Sequence, residues 1–436
     1  MRFDEALSYL LSLGHETLAI KLGLTNTERL LAALGDPQKS FPSVQIAGTN
    51  GKGSTAVMLE SVARAAGVRT GLYTSPHLVS ITERVRVDNM EVSREEFARL
   101  TARVREAAER LVSDGVLPAL PTFFEHVTAV ALAAFAESRV GLAILETGLG
   151  GRLDATTTAR ADVVAITPVA LDHQEHLGET LSEIASEKAA IIRPNVAAVV
   201  APQEAEALEV ILRRCAECGV VPRMAATRGP LVLGADETGR LRVSFETSED
   251  RYENVRLALR GRHQILNAQV AISLAETLRG RGFPLTRAAI IEGLETARHA
   301  GRLELRRFSE HDFLFDGAHN PAGARALRAF LDEFVHAPVT LLFGAMRDKP
   351  LSELAATLFP AASHLILTQP ANPRAAPPET LARLVPREFD LSRITLAPSA
   401  AEAVTAALAE TPPAGLICVT GSLYLVGEVQ GLLGRT

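Results

Sequence analysis

A chain of 436 residues exceeds what one ordinary hydrophobic core organises, so two or three domains are expected. With 47% hydrophobic and 22% charged residues, the composition is that of a soluble globular protein. A net charge of -6, no Trp and 4 Tyr leave neither a basic face nor stacking platforms for nucleic acid, and no apolar run reaches the roughly 18 residues that cross a bilayer.

Acidic Asp4 and Glu5 stand where an export signal would be basic and then apolar, and 3 cysteines suit a reducing compartment, so a cytoplasmic protein is expected. Residues 3–13 and 27–34 read as amphipathic helices joined by HETLAIKLGL. Residues 44–47 (VQIA) read as a short buried strand. Gly48, Gly51 and Gly53 then break the chain around Lys52, and a helical pattern runs from Ser54 to a stop at Gly67. Strand, glycine-rich turn and helix start make an anion cradle, because backbone N–H groups and the helix dipole converge on one point. Lys52 adds a full charge for outer phosphates, and Ser54 or Thr55 a hydroxyl for a magnesium ion. The usual phosphate-loop spacing is longer and has no glycine after the lysine, so a purely structural turn is the competing reading.

A second strand at 70–74 ends in Ser75-Pro76-His77-Leu78, and TERVRV (82–87) alternates like a strand. Helices fit a start at Ser93 and the stretch 123–136. The strand 142–145 ends in Glu146, and the strand 163–166 leads to TPVALDHQEHLG. Thr180 caps a helix expected to reach Ile192; a strand at 197–200 and a helix at 205–218 follow. Cys215 and Cys218 lie near the end of that helix, with no second pair, and read as packing residues. Residues 221–260 read as a small β appendage, closed by a helix at 265–278.

Near residue 300 the pattern resets. A strand at 313–315 ends in Asp316-Gly317-Ala318-His319-Asn320-Pro321 before a helix. Strands at 339–343, 365–368 and 416–420 alternate with helices at 351–358, 379–384 and 401–408. The expected fold is therefore α/β: a doubly wound, mostly parallel sheet domain of phosphate-loop type with a β appendage (1–298), then a smaller Rossmann-like domain (299–436). The linker 296–301 is the expected hinge.

Ligands gather where parallel strands end, and Gly48–Ser54, Ser75, Glu146 and Asp172-His173 all follow predicted strands. Glu146 is costly to bury unless it is paired, bound to a metal or satisfied by the glycine N–H groups that follow. His173 fits one place in a mostly oxygen metal site; His176 reads as solvated or structural, and a zinc pair lacks further ligands. Lys188 falls on the apolar stripe of Leu181, Ile184 and Ala185. It either snorkels or is modified, since a carbamate on its nitrogen would be an anionic ligand. Arg302, Asp316 and His319 open the second domain, facing reactants or, for Asp316 and Asn320, forming a helix cap.

Taken together, GTNGKGS (48–54), YTSPHL (73–78), ERVRV (83–87), LETGLGGRLDAT (145–156), LDHQEHLG (171–178), SEKAAIIRP (186–194), HQILNAQVA (263–271), GRLE (301–304), FDGAHNP (315–321) and GSLYLVGEV (421–429) resemble the folylpolyglutamate synthase/dihydrofolate synthase family of the Mur ligase superfamily. The resemblance covers nearly the whole chain and implies ATP-dependent amide ligation of L-glutamate to dihydropteroate or reduced folates through an acyl phosphate. It implies that Asn50, Gly51, Lys52, Gly53, Ser54, Asn267, Arg302 and Asp316 hold ATP. Ser54, Ser75, Glu146, His173 and a carbamylated Lys188 would serve two Mg2+ sites, with Lys52, Lys188, His173 and His319 taking part in catalysis. The pterin would lie against Thr122, Phe123, Phe124, Glu125, Leu153, Asp154 and Ala155, and near Lys21–Leu24. A monomer with small-molecule partners only is implied. Two rivals are weighed: a Mur ligase acting on a cell-wall precursor, disfavoured by only 43 residues before the cradle strand, and a non-catalytic nucleotide switch.

Overall fold

The computed structural model describes residues 1–14, 23–226 and 228–434; of the expected pterin contacts, Lys21 and Leu22 lie outside them. Its first sheet holds β1 (Ser43–Ala47), β2 (Thr70–Tyr73), β3 (Val85–Val87), β4 (Met90–Glu91), β5 (Leu142–Glu146), β6 (Val163–Ile166), β7 (Ala197–Val200) and β8 (Arg223–Met224). Their order is β4-β3-β2-β5-β1-β6-β7-β8, and only β3 and β4 run antiparallel to their neighbours. β1, β2, β5 and β6 are buried at every position, as mostly apolar strands are when helices cover both faces.

Alternation along each strand sends side chains to opposite faces. Ile46, Leu72 and Ile144 join a core with the helices Lys52–Ala65, His263–Gly280 and Arg287–Thr296. Tyr73, Ala143 and Leu145 face the helices Arg94–Ser113 and Phe123–Glu137, and Val164 and Val200 face Leu181–Ala189 and Ala205–Glu217. The sheet is doubly wound, as the strand–helix alternation predicts.

The appendage is an antiparallel meander of β9 (Leu231–Ala235), β10 (Leu241–Glu246) and β11 (Arg251–Arg256). A second sheet contains β12 (Glu304–Phe308), β13 (His311–Phe315), β14 (Val339–Phe343), β15 (His364–Thr368), β16 (Ile394–Ala397) and β17 (Leu416–Thr420). It runs β12-β13-β17-β14-β15-β16, parallel except for β12.

Three details differ from the sequence reading. Residues 81–84 form a 3-10 turn, not the first half of a strand, because the Glu83 carboxylate takes the N–H groups of Leu78, Val79 and Ser80. The helix capped by Thr180 ends at Ala189, three residues short of Ile192. β12 and β16 escape detection because their side chains are mostly half-exposed and their pattern carries little apolar period. The CxxC pair is a packing element: Cys215 is buried and the Cys218 thiol donates to the Ile192 carbonyl at 3.3 Å.

Away from the strand-end loops, two contacts join the lobes. Arg262 makes a bidentate pair with Glu333 at 2.8 and 2.7 Å. On the other side the helix Leu423–Leu433 lies so close to the loop after β2 that a Cβ at Gly427 would stand 1.9 Å from the Leu78 carbonyl oxygen. Gly427→Ala must push that helix away at a cost of about 1–3 kcal/mol. A lowered thermal midpoint is expected, and an unchanged one would contradict the contact.

Candidate active site

Parallel pairing sets which loops meet. Ile46 stands beside Glu146, Ala47 beside Ile166, and Tyr73 beside Leu145. The loops after β1, β2, β5 and β6 therefore leave from one edge. Gly48–Ser54, Ser75, Glu146 and Asp172-His173 all emerge there, as the sequence predicts.

The helix of the cradle starts at Lys52, two residues before the expected Ser54, with Gly51 as its cap at φ +86°. That conformation favours glycine, and a Cβ would also meet the Asn267 Oδ1 at 2.2 Å. Asn267 thus packs directly on the loop. Lys52 Nζ donates to the Gly48 and Thr49 carbonyls at 3.1 and 3.2 Å, which curls its ammonium over the loop. Asn50 Oδ1 accepts from Asn320 Nδ2 at 3.0 Å, joining the cradle to the second lobe.

Ser54 is buried, and its Oγ lies 3.3 Å from Gln264 Nε2 and 3.2 Å from His299 Nδ1. The sequence reading passed over both partners. Gln264 sits one turn before Asn267 in the quoted HQILNAQVA, which places it on the same helix face without revealing Ser54 as its partner; His299 had no signal beyond preceding GRLE. A Cβ at Gly53 would stand 2.8 Å from His299 Cε1 and 3.2 Å from Glu146 Oε2. This crowding accounts for the glycine that follows the lysine.

Glu146 is buried, and its Oε2 accepts the Ser75 N–H at 3.3 Å. The glycine-loop N–H groups go elsewhere: those of Gly148 and Leu149 donate to Asp154 at 2.9 and 3.0 Å. Burial pushes the Glu146 carboxyl up, opposed by Lys52, the Ser75 bond, Arg302 and Arg84. Burial pushes His173 down to about 3 against the pull of Asp172, leaving a neutral imidazole. Lys188 is buried and its amine makes no hydrogen bond to a described residue. Burial, reinforced by Lys52, brings it down to about 7.

Among the described residues no three His, Cys, Asp or Glu side chains cluster as a closed metal cage. Serine hydroxyls, one under-bonded carboxylate and one imidazole are instead an open, oxygen-rich donor set. Such a set fits a hard divalent cation that takes its remaining ligands from phosphate and water.

From the second lobe, Asp316 accepts from the Leu303 and Ala318 N–H groups at 2.9 and 3.0 Å, and burial pushes its carboxyl up against Arg302. Asn320 caps the helix Pro321–Phe334 through the Gly323 N–H at 2.9 Å. The capping alternative therefore describes Asn320, whereas Asp316 braces the loop ahead of the helix. Arg302 lies against Gly317, with its Nη1 2.4 Å from where a Cβ would be. His319 Nε2 comes within 3.5 Å of Asp172 Oδ2, which also receives Asn320 Nδ2 at 3.2 Å. Lys349 donates to Asp172 Oδ1 at 2.6 Å. Burial alone would raise the Asp172 pKa, but His319, His173 and Lys349 together drive it far below the carboxylate range.

A cleft of about 270 Å³ lies between the lobes. Its first-lobe wall includes Thr122, Phe123, Phe124, Glu125, Leu153, Asp154 and Ala155, with Ser75 and His173 alongside. Gly23 lines it as well, and exposed His176 stands at its rim. Two of these carboxylates serve the scaffold: Glu125 accepts from Thr27, Thr122 N–H and Thr122 Oγ1, and Asp154 from its own loop. The opposite wall brings His319, Lys349, Arg374 and Tyr424.

Residues 46–275 match the Mur ligase middle domain, and residues 301–423 match the Mur ligase glutamate ligase domain. The dihydrofolate synthase/folylpolyglutamate synthase of Bacillus subtilis is 32% identical over 96% of this chain and 96% of its own length. The chain belongs to the folylpolyglutamate synthase/dihydrofolate synthase family. A structure of E. coli FolC in complex with DHPP and ADP superposes with a TM-score of 0.87 at 31% identity, covering 100% of this chain and 98% of the other. The bifunctional family member from Yersinia pestis complexed with AMPPNP and Mn ion gives 0.84 at 29% identity, with the same coverage. The chain spans about half the length (52% and 50%) of two haloarchaeal relatives, from Halobacterium salinarum and Haloferax volcanii, at 36% identity. Their names pair folylpolyglutamate synthase with dihydropteroate synthase. No helix among the described residues is long and apolar enough to cross a membrane.

Proposed function

We propose that the protein is an ATP-dependent ligase that joins L-glutamate to dihydropteroate, to reduced folates, or to both. The observation carrying this reading is the convergence of the phosphate cradle, Glu146 and an aromatic-walled cleft on one sheet edge, opposite His319 and Lys349. In this reading Asn50–Ser54 grip the phosphates, Asn267 and Arg302 with Asp316 orient the nucleoside, and Phe123, Phe124 and Leu153 cover the pterin.

Ser54, Ser75, Glu146, His173 and a carbamate on Lys188 would hold divalent cations, magnesium at two sites, which when bound offset triphosphate charge. Lys52 leaves the Gly48 and Thr49 carbonyls to neutralise charge growing on the transferred phosphoryl group. A substrate carboxylate oxygen attacks the γ-phosphorus, and the bond to the β-phosphate oxygen breaks, giving an acyl phosphate and ADP. The glutamate amine then attacks the acyl carbon, loses a proton, and expels phosphate. His319 lines the cleft and in this reading lies near the phosphate and glutamate end. Closure of the lobes shields the acyl phosphate from water. We take 1–298 and 299–436 as the two domains, working as a cytoplasmic monomer.

Incubating the protein with ATP, glutamate and either dihydropteroate or tetrahydrofolate tests this by mass spectrometry. A product heavier by one glutamyl unit, with one ADP and one phosphate per bond, is expected. Phosphate release that is indifferent to glutamate would overturn it.

A further inference from the structure

Ser54 is held by more than its own helix. Gln264 gives its Oε1 to Asn267 Nδ2 at 2.9 Å, which turns its amide nitrogen toward Ser54 Oγ. The serine oxygen thus accepts from Gln264, and its single proton needs an acceptor of its own. His299 Nδ1, 3.2 Å away, is that acceptor, and the imidazole lies over Gly53 beside Glu146. His299 belongs to neither lobe's regular structure: it sits between the helix Arg287–Thr296 and β12, on the stretch that joins the lobes.

We propose that His299 is a positioning residue for metal loading, fixing the Ser54 hydroxyl proton so that the free lone pair faces the cation. With the proton directed at His299 Nδ1 and one lone pair accepting from Gln264, the remaining lone pair has a defined direction. Because His299 rides on the linker, the same contact ties the relative placement of the lobes to the readiness of the metal site. This inference rests on the ATP-ligase reading above.

The test uses Mn2+ as the probe, titrated by electron paramagnetic resonance into the whole protein saturated with AMPPNP, alongside AMPPNP affinity measured in EDTA. His299→Ala should weaken Mn2+ binding about tenfold, as loss of a group that orients a metal ligand does, with metal-free AMPPNP affinity within about twofold of wild type. His299→Asn, whose carbonyl oxygen can stand in for Nδ1, should recover most of the loss. Unchanged Mn2+ affinity in His299→Ala would overturn the proposal. An equal fall in metal-free AMPPNP affinity would also overturn it, reducing His299 to a shape-filling residue. Should either variant be poorly folded by circular dichroism, the other is decisive: a folded Asn variant that binds Mn2+ no better than one tenth of wild type refutes the acceptor role. Failure of the wild type to bind AMPPNP at all would remove the ligase reading itself.

Discussion

Lys188→Ala should lower glutamate ligation about a thousandfold, the scale on which a fixed charge at the reacting phosphoryl matters, while the thermal midpoint holds or rises. The sign of the stability change follows from the environment. Lys188 is a buried residue whose amine has no hydrogen-bond partner among the described residues, so removing it relieves a desolvation cost. Only a functional role justifies a lysine there. Carbamylation would supply one: the neutral amine would attack carbon dioxide, forming a nitrogen–carbon bond, with the displaced proton going to solvent. That step needs the unprotonated amine, and an ordinary lysine is almost fully charged at neutral pH. Here burial brings the amine down to about 7, so its neutral fraction grows as pH rises through that value. At a fixed concentration of dissolved carbon dioxide, activation of carbon-dioxide-depleted enzyme should accordingly be faster near pH 8 than near pH 6, by about tenfold. Full ligation by Lys188→Ala, or a wild-type mass lacking the added carboxyl under native conditions, would defeat the carbamate.

Asp172→Ala should loosen the two lobes. The carboxylate lies 2.6 Å from Lys349 and 3.2 Å from Asn320 Nδ2, and the Lys349 and Asp172 side chains are 8% and 9% exposed. Deleting one partner of a buried pair strands the other charge, at about 3–5 kcal/mol when it cannot reach water. Lys349 can escape that cost only if the cleft opens. A larger radius of gyration by small-angle scattering, together with a raised KM for glutamate, is therefore expected. Asp172→Asn should fall between, because the amide oxygen can still accept from Lys349 while the charge is lost. Scattering identical to wild type in both variants would show that other contacts, such as Arg262–Glu333, hold the closed arrangement.

How far the site could be read in advance depended on the kind of contact. Glu146 was legible because an apolar strand that ends in a carboxylate, inside a strand–helix alternation, has one place to go: the ligand edge of a parallel sheet. Lys188 was legible as a charge on an apolar stripe, and Phe123 to Glu125 only as what the family resemblance implied. Gln264, His299 and Lys349 were not. Each meets its partner across a large separation, 210, 245 and 177 residues, and no local period encodes such a meeting. The turn at 81–84 was missed for a smaller reason of the same kind. An alternating pattern cannot reveal that one carboxylate will collect three neighbouring N–H groups.

The amino-acid order alone settled that there is a parallel sheet with a glycine-rich anion loop, a second α/β lobe, and a set of motifs belonging to one ligase family. Periodicity, capping residues and glycine placement act over a few residues, so they survive without coordinates. What folding alone decided is how the lobes meet: Asn50 on Asn320, Asp172 on Lys349, and His299 leaning from the linker onto Ser54. These bonds join groups hundreds of residues apart, and their directions follow from sheet register and helix docking, which no short stretch of chain carries.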